Sequence, residues 1–516
     1  MRDLLTGTRL AIMLGLAIVL ARVLAYPLLP IDETRYLSVA WEMWQSGNYL
    51  VPHINDLPYP HKPPLLFWLI NLAWTFFGTS DLVARLAIPV VGLSAFGLLA
   101  AVVRRSEGSN AGTIDRAPLI LLSLFPWTIY LALSMFDILV TVCLLLALWS
   151  QLRYQSSRTL GWLLLSGFAV GLGMIAKGPV MLVYWLPLML SYRAWRGEQK
   201  GWLKGVGLAT LLGVVVVLAW AVPAAIAGGS HYAEAIFWRQ SAGRIDNAFA
   251  HARPWYWYLK LLPLLLLPWT LTRFWKRPLV ATPLQKMALW GFLPQLALFS
   301  LFSGKQVHYL VPTLPFIAIW LSEQWPKITD KRLWAVPAML LALAVATWQL
   351  PTLALKYFPA APLASWTSYL AIIPVILALL VWWKPASRWL MVSLPLALNT
   401  FLLGLSPAIM QYYDLEPFAQ QVTRAQQQHA VAYVGGYANQ FRFLGRGTQP
   451  LAELLHGTEQ WRQEHPDGML VVVLRHPSEA QKAAAVVTSH YRSQFYLLVN
   501  TKDWPLFASQ PANDAD

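Results

Sequence analysis

A single cysteine, Cys143, is present in 516 residues, and it lies inside an apolar run. One buried-looking thiol excludes a disulfide framework and makes thiol chemistry a poor reading. Charge is also scarce: Asp, Glu, Lys and Arg together make up 12% of the chain, about half of what a soluble globular domain carries. No Gly-rich phosphate loop follows a strand-like run, since Gly435 and Gly436 alone are too little for one. Internal repeats and long polar linkers are missing too. Acidic side chains are the rarest charged class, 24 against 39 Lys and Arg, for a net charge of +15. These cations fall between apolar runs rather than along one face, which is how topology signals are distributed. They do not make a nucleic-acid surface, and no nucleic-acid partner is expected.

What fills the chain instead is apolar. Hydrophobic residues make up 57%, with 27 Trp, 36 Pro and a mean hydropathy of +0.48. Runs of about 17 to 25 apolar residues are long enough to cross the hydrocarbon core as helices. The pattern predicts a polytopic α-helical membrane protein with 13 spans, near 8–29, 82–103, 117–133, 136–152, 160–176, 178–193, 204–227, 257–275, 284–302, 306–324, 333–350, 367–384 and 388–410. The first run has no small-residue cleavage site ahead of Asp32 and reads as a retained helix. The run 65–77 is too short to span and reads as re-entrant or interfacial.

Lys and Arg in the short loops set the orientation. One side collects 20 of them and the other, before the C-terminal tail, 10. The richer side is expected to be cytoplasmic, with the N-terminus on it, which leaves the C-terminus outside. From about Asp414 the composition turns polar and Gln-rich, with β-rich runs at 430–434, 469–474 and 494–499 and helix-like stretches such as 479–489. That reads as a small α/β domain over 414–516, behind a transmembrane domain over 1–413 whose notable outside loops are 30–81 and 228–256.

The unusual polar residues all fall on the outside in this topology. The loop from Ile31 to Leu66 carries Asp32, Glu33, Arg35, His53, Asp56, Tyr59, His61 and Lys62. Asp137 opens span four, and Lys177 sits in the turn after span five. Arg239, Gln240, Arg244 and Arg253 share a large loop, and Lys305, His308 and Tyr309 open span ten. Ionisable residues at membrane depth are functional candidates by default. Each also has a plainer reading: Asp137 as a helix cap, Lys177 as a headgroup or topology lysine, His308 as an interfacial histidine, the WYWYLK aromatics as a membrane belt. Asp32, next to Glu33 and just after a span, is the hardest to read as an ordinary loop acid. A carboxylate that can accept a hydroxyl proton, beside cations that can neutralise a leaving phosphate, suits transfer of an activated group to a hydroxyl.

The segments DETRYLSVAWEM, HKPPLLFWLIN, SMFDILV, AKGP and SGKQVHYLVPTLPFIA occur in this order. In order and spacing they resemble the bacterial polyprenyl-phosphate-dependent glycosyltransferases of the C-type (GT-C) fold, the superfamily of lipid A aminoarabinose transferases and protein O-mannosyltransferases. The resemblance covers residues 8 to about 325 well. It implies an inner-membrane enzyme that takes a sugar from an undecaprenyl-phosphate carrier and passes it to a cell-envelope acceptor, such as lipid A or another lipid or glycan, on the periplasmic face. It implies Asp32, Asp137 and Lys62 as catalytic residues. Glu33, Arg35, Tyr59, Lys177, Arg244, Lys305, His308 and Tyr309 are implied as contacts to the donor phosphate or the acceptor. A divalent metal (Zn²⁺, Mn²⁺ or Mg²⁺) is implied at Asp32 and His61. Two positions depart from the family pattern: His61 stands where Glu often precedes Lys-Pro-Pro, and Arg239-Gln240 where a Glu-His pair is common. Both bear on the metal and on the identity of donor and acceptor, which stay open.

With these roles Asp32 orients or deprotonates the acceptor, which attacks the anomeric carbon as polyprenyl phosphate departs, and a single displacement inverts that carbon. The rival class is a transporter or flippase of lipid-linked sugars. Transporters tend to show repeats and interrupted helices in matching positions, and this sequence shows neither.

Overall fold

The computed structural model describes residues 6–239, 252–272, 282–328, 333–359, 361–385 and 387–508. Contacts divide the chain into two compact units. The first comprises Met1–Leu24, Pro60–Leu350 and Ser365–Gly404, and the second Ala25–Tyr59, Pro351–Ala364 and Leu405–Asp516.

The first unit is helical. Among the described residues the chain has seven helices long and apolar enough to cross a membrane, or eight if Ala335–Trp348 and Leu350–Tyr357 count together. This is a multi-pass membrane protein. Helix Asp81–Arg105 shows why such a segment starts and stops where it does. Ser80 caps it by accepting from the Val83 amide at 3.2 Å, and Arg104 and Arg105 close its last turn, where cations suit the helix dipole. Helix Leu160–Lys177 packs on Trp202–Glu234 through small residues. A Cβ on Gly171 would lie 2.5 Å from Val216 Cβ, and one on Gly167 would lie 2.7 Å from Leu212 Cβ. Glycines four apart let the two backbones approach, which is what drives helix association where lipid is as apolar as leucine.

Several segments expected as single helices are two. The run 117–133 is Ala111–Ser123 followed by Phe125–Tyr130, with Leu124 extended between them. The run 284–302 is Pro283–Trp290 followed by Leu293–Leu301, and 306–324 opens as a 3-10 turn over Val307–Thr313 before helix Leu314–Ile328. In the first two cases a proline sits at the start of the second piece, Pro126 and Pro294. It has no N–H for the preceding turn, so the helix restarts there. Segment 65–77 is a helix over Leu65–Phe77, short of a bilayer crossing as expected.

In the second unit, helix Asp32–Ser46 is followed by a hairpin of His53–Ile54 and Leu57–Pro58. Its two-residue turn is Asn55-Asp56, both left-handed at φ 53° and 62°, the conformation that Asn and Asp tolerate best among residues with a Cβ. Farther on, a five-stranded sheet has the order Ala452–Leu454, Val431–Val434, Met469–Leu474, Gln494–Asn500, Val487–Tyr491. The first three strands run parallel and the last two are antiparallel to their neighbours. The central MLVVVL strand is buried along nearly its whole length, as a continuous β-branched run requires. Its Leu470 and Val472 join Ala432, Leu497, Val499 and Phe507 in the core. Three strands fall where the sequence placed them. Stretch 479–489 is corrected: it is helical only over Glu479–Ala484 and then enters the edge strand Val487–Tyr491, because the β-branched Val-Val-Thr that ends the stretch pairs along Gln494–Asn500.

Candidate active site

In the first unit, helices Phe136–Ser157 and Leu160–Lys177 are joined by a short turn in which Arg158 is left-handed at φ 56°. A turn that short makes the two helices antiparallel neighbours, so the start of one and the end of the other share an end. Asp137 sits in the first turn and Lys177 in the last, each where the helix dipole favours its charge. Lys177 Nζ donates to Asp137 Oδ1 at 2.5 Å, and both side chains are buried, 9% and 2% exposed.

Around this pair stand residues from the 3-10 turn Val307–Thr313. His308 Nε2 is 4.0 Å from Asp137 Oδ2, and the Lys177 ammonium lies 4.7 Å from the centre of the Tyr309 ring, a cation–π distance. The turn itself is held from two helices: Tyr184 donates its hydroxyl to the Tyr309 carbonyl at 2.7 Å, and Tyr258 donates to the Gln306 carbonyl at 2.9 Å. Tyr130 packs edge-on against His308, 6.2 Å between ring centres. The Lys62 ammonium is 5.5 Å from the ring centre of Phe136, the residue before Asp137. Four residues singled out in the sequence, Asp137, Lys177, His308 and Tyr309, therefore converge in this unit, and a fifth, Lys62, stands against the ring of the residue before Asp137. A buried carboxylate, two lysines and an imidazole on an aromatic wall can hold a phosphate and vary its charge balance.

Lys305 has a different setting. Its ammonium donates to the Arg253 carbonyl at 2.9 Å and also to the Phe302 carbonyl, so it ties two backbone segments together. His61 is exposed in the turn that leads to Leu65–Phe77. Arg244 and Gln240 lie outside the described residues.

The second unit holds Asp32, Glu33, Arg35 and Tyr59. Asp32 opens its helix, half exposed, with Arg35 Nη2 at 3.9 Å. Tyr36, one turn along the same face, lies beside Asp32. Burial pushes the Tyr36 hydroxyl well above the ordinary tyrosine range, and the charge of Asp32 adds to the effect. Tyr36 thus stays a neutral donor at any working pH. The buried Tyr59 also acts on Tyr36. Glu33 is buried and accepts from the Leu29 amide at 3.1 Å, closing the turn that leads into the helix. Tyr36 did not stand out in the sequence, yet its i, i+4 spacing from Asp32 was the signal that could have found it.

The same helix carries Glu42, buried at 3%. Glu42 accepts from the Asn55 amide at 2.9 Å, from the Asp56 amide at 3.0 Å and from the Asn439 side chain. Asn55 exchanges two bonds with Leu451, Asp56 accepts from Arg442 at 2.8 Å, and Trp41 donates to the Gly447 carbonyl at 2.9 Å. The loop that carries Asp32 and the segment from Tyr437 to Leu454 are in this way one hydrogen-bonded body.

A metal needs several convergent ligands. Among the described residues no group of three or more His, Cys, Asp or Glu is placed to hold one, and the charged neighbour of Asp32 is Arg35.

Residues 61–226 match the model of a family described as dolichyl-phosphate-mannose-protein mannosyltransferase. The chain is similar to the undecaprenyl phosphate-alpha-4-amino-4-deoxy-L-arabinose arabinosyl transferase of Pseudomonas aeruginosa (strain LESB58), 33% identical over 316 residues, 57% of this chain and 54% of that protein. It is similar also to transferase 1 of the same description from Pseudomonas fluorescens (strain Pf0-1), 32% identical over 337 residues, 58% and 54% of the two chains. The chain thus spans about half the length of the curated relatives it matches. Its fold is that of the crystal structure of ArnT from Cupriavidus metallidurans bound to undecaprenyl phosphate: TM-score 0.73, 95% of this chain and 97% of that one covered, 19% identity. The resemblance read from the motifs is borne out.

Proposed function

We propose that the chain is a membrane glycosyltransferase that moves a sugar from an undecaprenyl (polyprenyl) phosphate carrier to a cell-envelope acceptor such as lipid A or lipopolysaccharide on the periplasmic face. The observation that carries this reading is the buried Asp137–Lys177 pair with His308 and Tyr309 against it. A polar cluster of this kind at the ends of spanning helices suits a lipid phosphate. Support comes from the curated relatives, which are named as undecaprenyl-phosphate aminoarabinose transferases.

In this mechanism Lys177 and Lys62 take up the charge that develops on the departing phosphate. Lys177 shifts its hydrogen bonding from Asp137 towards the phosphate, and His308 can supply a proton nearby. Asp32, beside Tyr36 and Arg35, accepts the acceptor's hydroxyl proton, or orients the acceptor if it is already an anionic phosphate. One displacement inverts the anomeric carbon. Glu33, Tyr59 and Lys305 act by shaping the backbone that carries these groups, and Arg244 is proposed as a further phosphate contact.

The chain is proposed to cross the inner membrane 13 times, with the broken and shorter helices supplying the crossings beyond the seven or eight long ones. The N-terminus is then cytoplasmic. The transmembrane domain runs over 1–413, and the domain over 414–516 is periplasmic.

Mass spectrometry of envelope lipids and glycans from a deletion strain tests the proposal. One envelope component should lose a sugar and the undecaprenyl-linked sugar should accumulate, with both reversed by the wild-type chain and not by Asp32→Asn. An unchanged envelope in cells that demonstrably make the protein rules the transferase out.

A further inference from the structure

The second unit contains a cleft of about 610 Å³, bounded by the hairpin tip, the end of helix Glu416–Gln426, the edge strand Ala452–Leu454 and helix Thr458–Glu464. Its chemistry is unlike that of the rest of the chain. The protein carries 39 Lys and Arg, yet among the described residues none lines this cleft, which favours a neutral ligand over a phosphate. The polar lining is amide, imidazole and carboxylate: Gln426, Gln449, His429, His465 and Glu453. Trp461 provides an aromatic wall, with His465 stacked on it at 4.5 Å and 19° between the planes.

The polar groups are held in place. The Glu453 carboxylate accepts from Asn55 Nδ2 and from the Tyr437 amide, each at 3.3 Å. The Gln426 side chain donates to the Pro450 carbonyl at 3.1 Å. An edge strand can also recruit an extended peptide, but the route is obstructed here. Asn55 uses both the N–H and the carbonyl of Leu451, at the entry to the edge strand.

Planar side chains that both donate and accept, set beside an aromatic ring, match the alternation of hydroxyls and C–H faces on a sugar. We propose that this cleft binds a saccharide, the glycan part of the acceptor. The assignment rests on the transferase reading for its biological meaning, while binding can be measured without turnover.

The test is saturation-transfer difference NMR and calorimetric titration on the full-length protein in detergent, with no donor present. The probe is a delipidated lipopolysaccharide core oligosaccharide. Gln449 and His429 are exposed, so the double variant Gln449→Ala/His429→Ala should fold normally, as the thermal transition will report. The expected result is saturation transfer to the wild type and binding weaker by about tenfold in the double variant, the loss of two side-chain hydrogen bonds. Inorganic phosphate and an unrelated extended peptide should not compete. No binding to the wild type, equal binding in the variant, or displacement by phosphate or by the peptide overturns the proposal. Binding in a protein that leaves envelope lipids unchanged would leave the cleft standing and remove the transferase reading. Transfer without cleft binding would do the reverse.

Discussion

Lys177 and Asp137 are 2.5 Å apart at the shared end of two antiparallel helices. Each is placed where its own helix favours its charge, and the two form a buried ion pair. Removing one member takes away the other's ion-pair partner in a buried site, which costs up to about 3–5 kcal/mol, whereas replacing both with apolar residues costs far less. Lys177→Met and Asp137→Ala should each lower the unfolding free energy by that amount. The double variant Asp137→Leu/Lys177→Met should recover most of it. All three should be inactive, which separates stability from function. Thermal unfolding in detergent beside a transfer assay makes the comparison, and equal loss of stability in single and double variants would contradict the pairing.

Asp32 behaves differently because its carboxylate is half exposed. Asp32→Asn should leave the thermal transition unchanged and lower turnover by about 10² to 10⁴, the usual worth of general-base catalysis. Tyr36→Phe removes only the hydroxyl beside Asp32. Turnover should fall by about tenfold with KM for the donor unchanged, a loss about the size of one hydrogen bond to a charged group. If the asparagine variant keeps more than about a tenth of wild-type turnover, the base role fails.

Glu42 is a buried carboxylate whose partners are two backbone amides and the Asn439 amide. Glu42→Ala strands those donors, at about 1–3 kcal/mol for each one left unsatisfied. A net loss of about 2–4 kcal/mol is expected, against about 1–2 kcal/mol for Asn439→Ala. Limited proteolysis should then cut near Asn55-Asp56 first, since that turn loses both of its amide acceptors. Protection of the turn in Glu42→Ala would refute the tie.

The second unit should lose stability at both ends of the pH range. Burial lowers the pKa of His490, which packs edge-on to Tyr412 and Phe495 at 4.4 and 4.9 Å. A depressed histidine contributes stability that is full above its unfolded pKa of about 6.5 and is lost as pH falls. On the alkaline side, burial raises Tyr433, Tyr437, Tyr491 and Tyr496. Their contribution is full below about pH 10, the ordinary tyrosine value, and declines as the unfolded chain ionises above it. Denaturant titrations across pH should show a plateau between about 7 and 10, with the acid limb shallower in His490→Phe and the alkaline limb shallower in Tyr437→Phe.

The first unit's polar cluster was legible because charge stands out in an apolar chain. Asp137, Lys177, His308 and Tyr309 are few enough to be counted, and the expected alternation of spans put them on one side. Lys62, which the family resemblance implied, stands beside Phe136. Helix breaks at Leu124 and between Trp290 and Leu293 were hidden by hydropathy, which stays high through a proline. The Ala452–Leu454 strand was missed because three residues carry too little pattern. Nothing local marks the bond from Glu42 to Asn439, because two residues 397 apart meet only through the fold. The exposed carboxylate Asp32 and the buried carboxylate Glu42 look alike in sequence. Their surroundings separate them.

The bond from Glu42 to Asn439 also sets an order of events in time. A ribosome adding about 5–20 residues per second needs roughly 20–80 s to travel the 397 residues between them. Through that interval Glu42 and the hairpin amides have no Asn439, Leu451 or Arg442 to meet. The loop made early is thus finished only by a segment made much later, and a nascent chain stalled before residue 439 would display that loop incomplete.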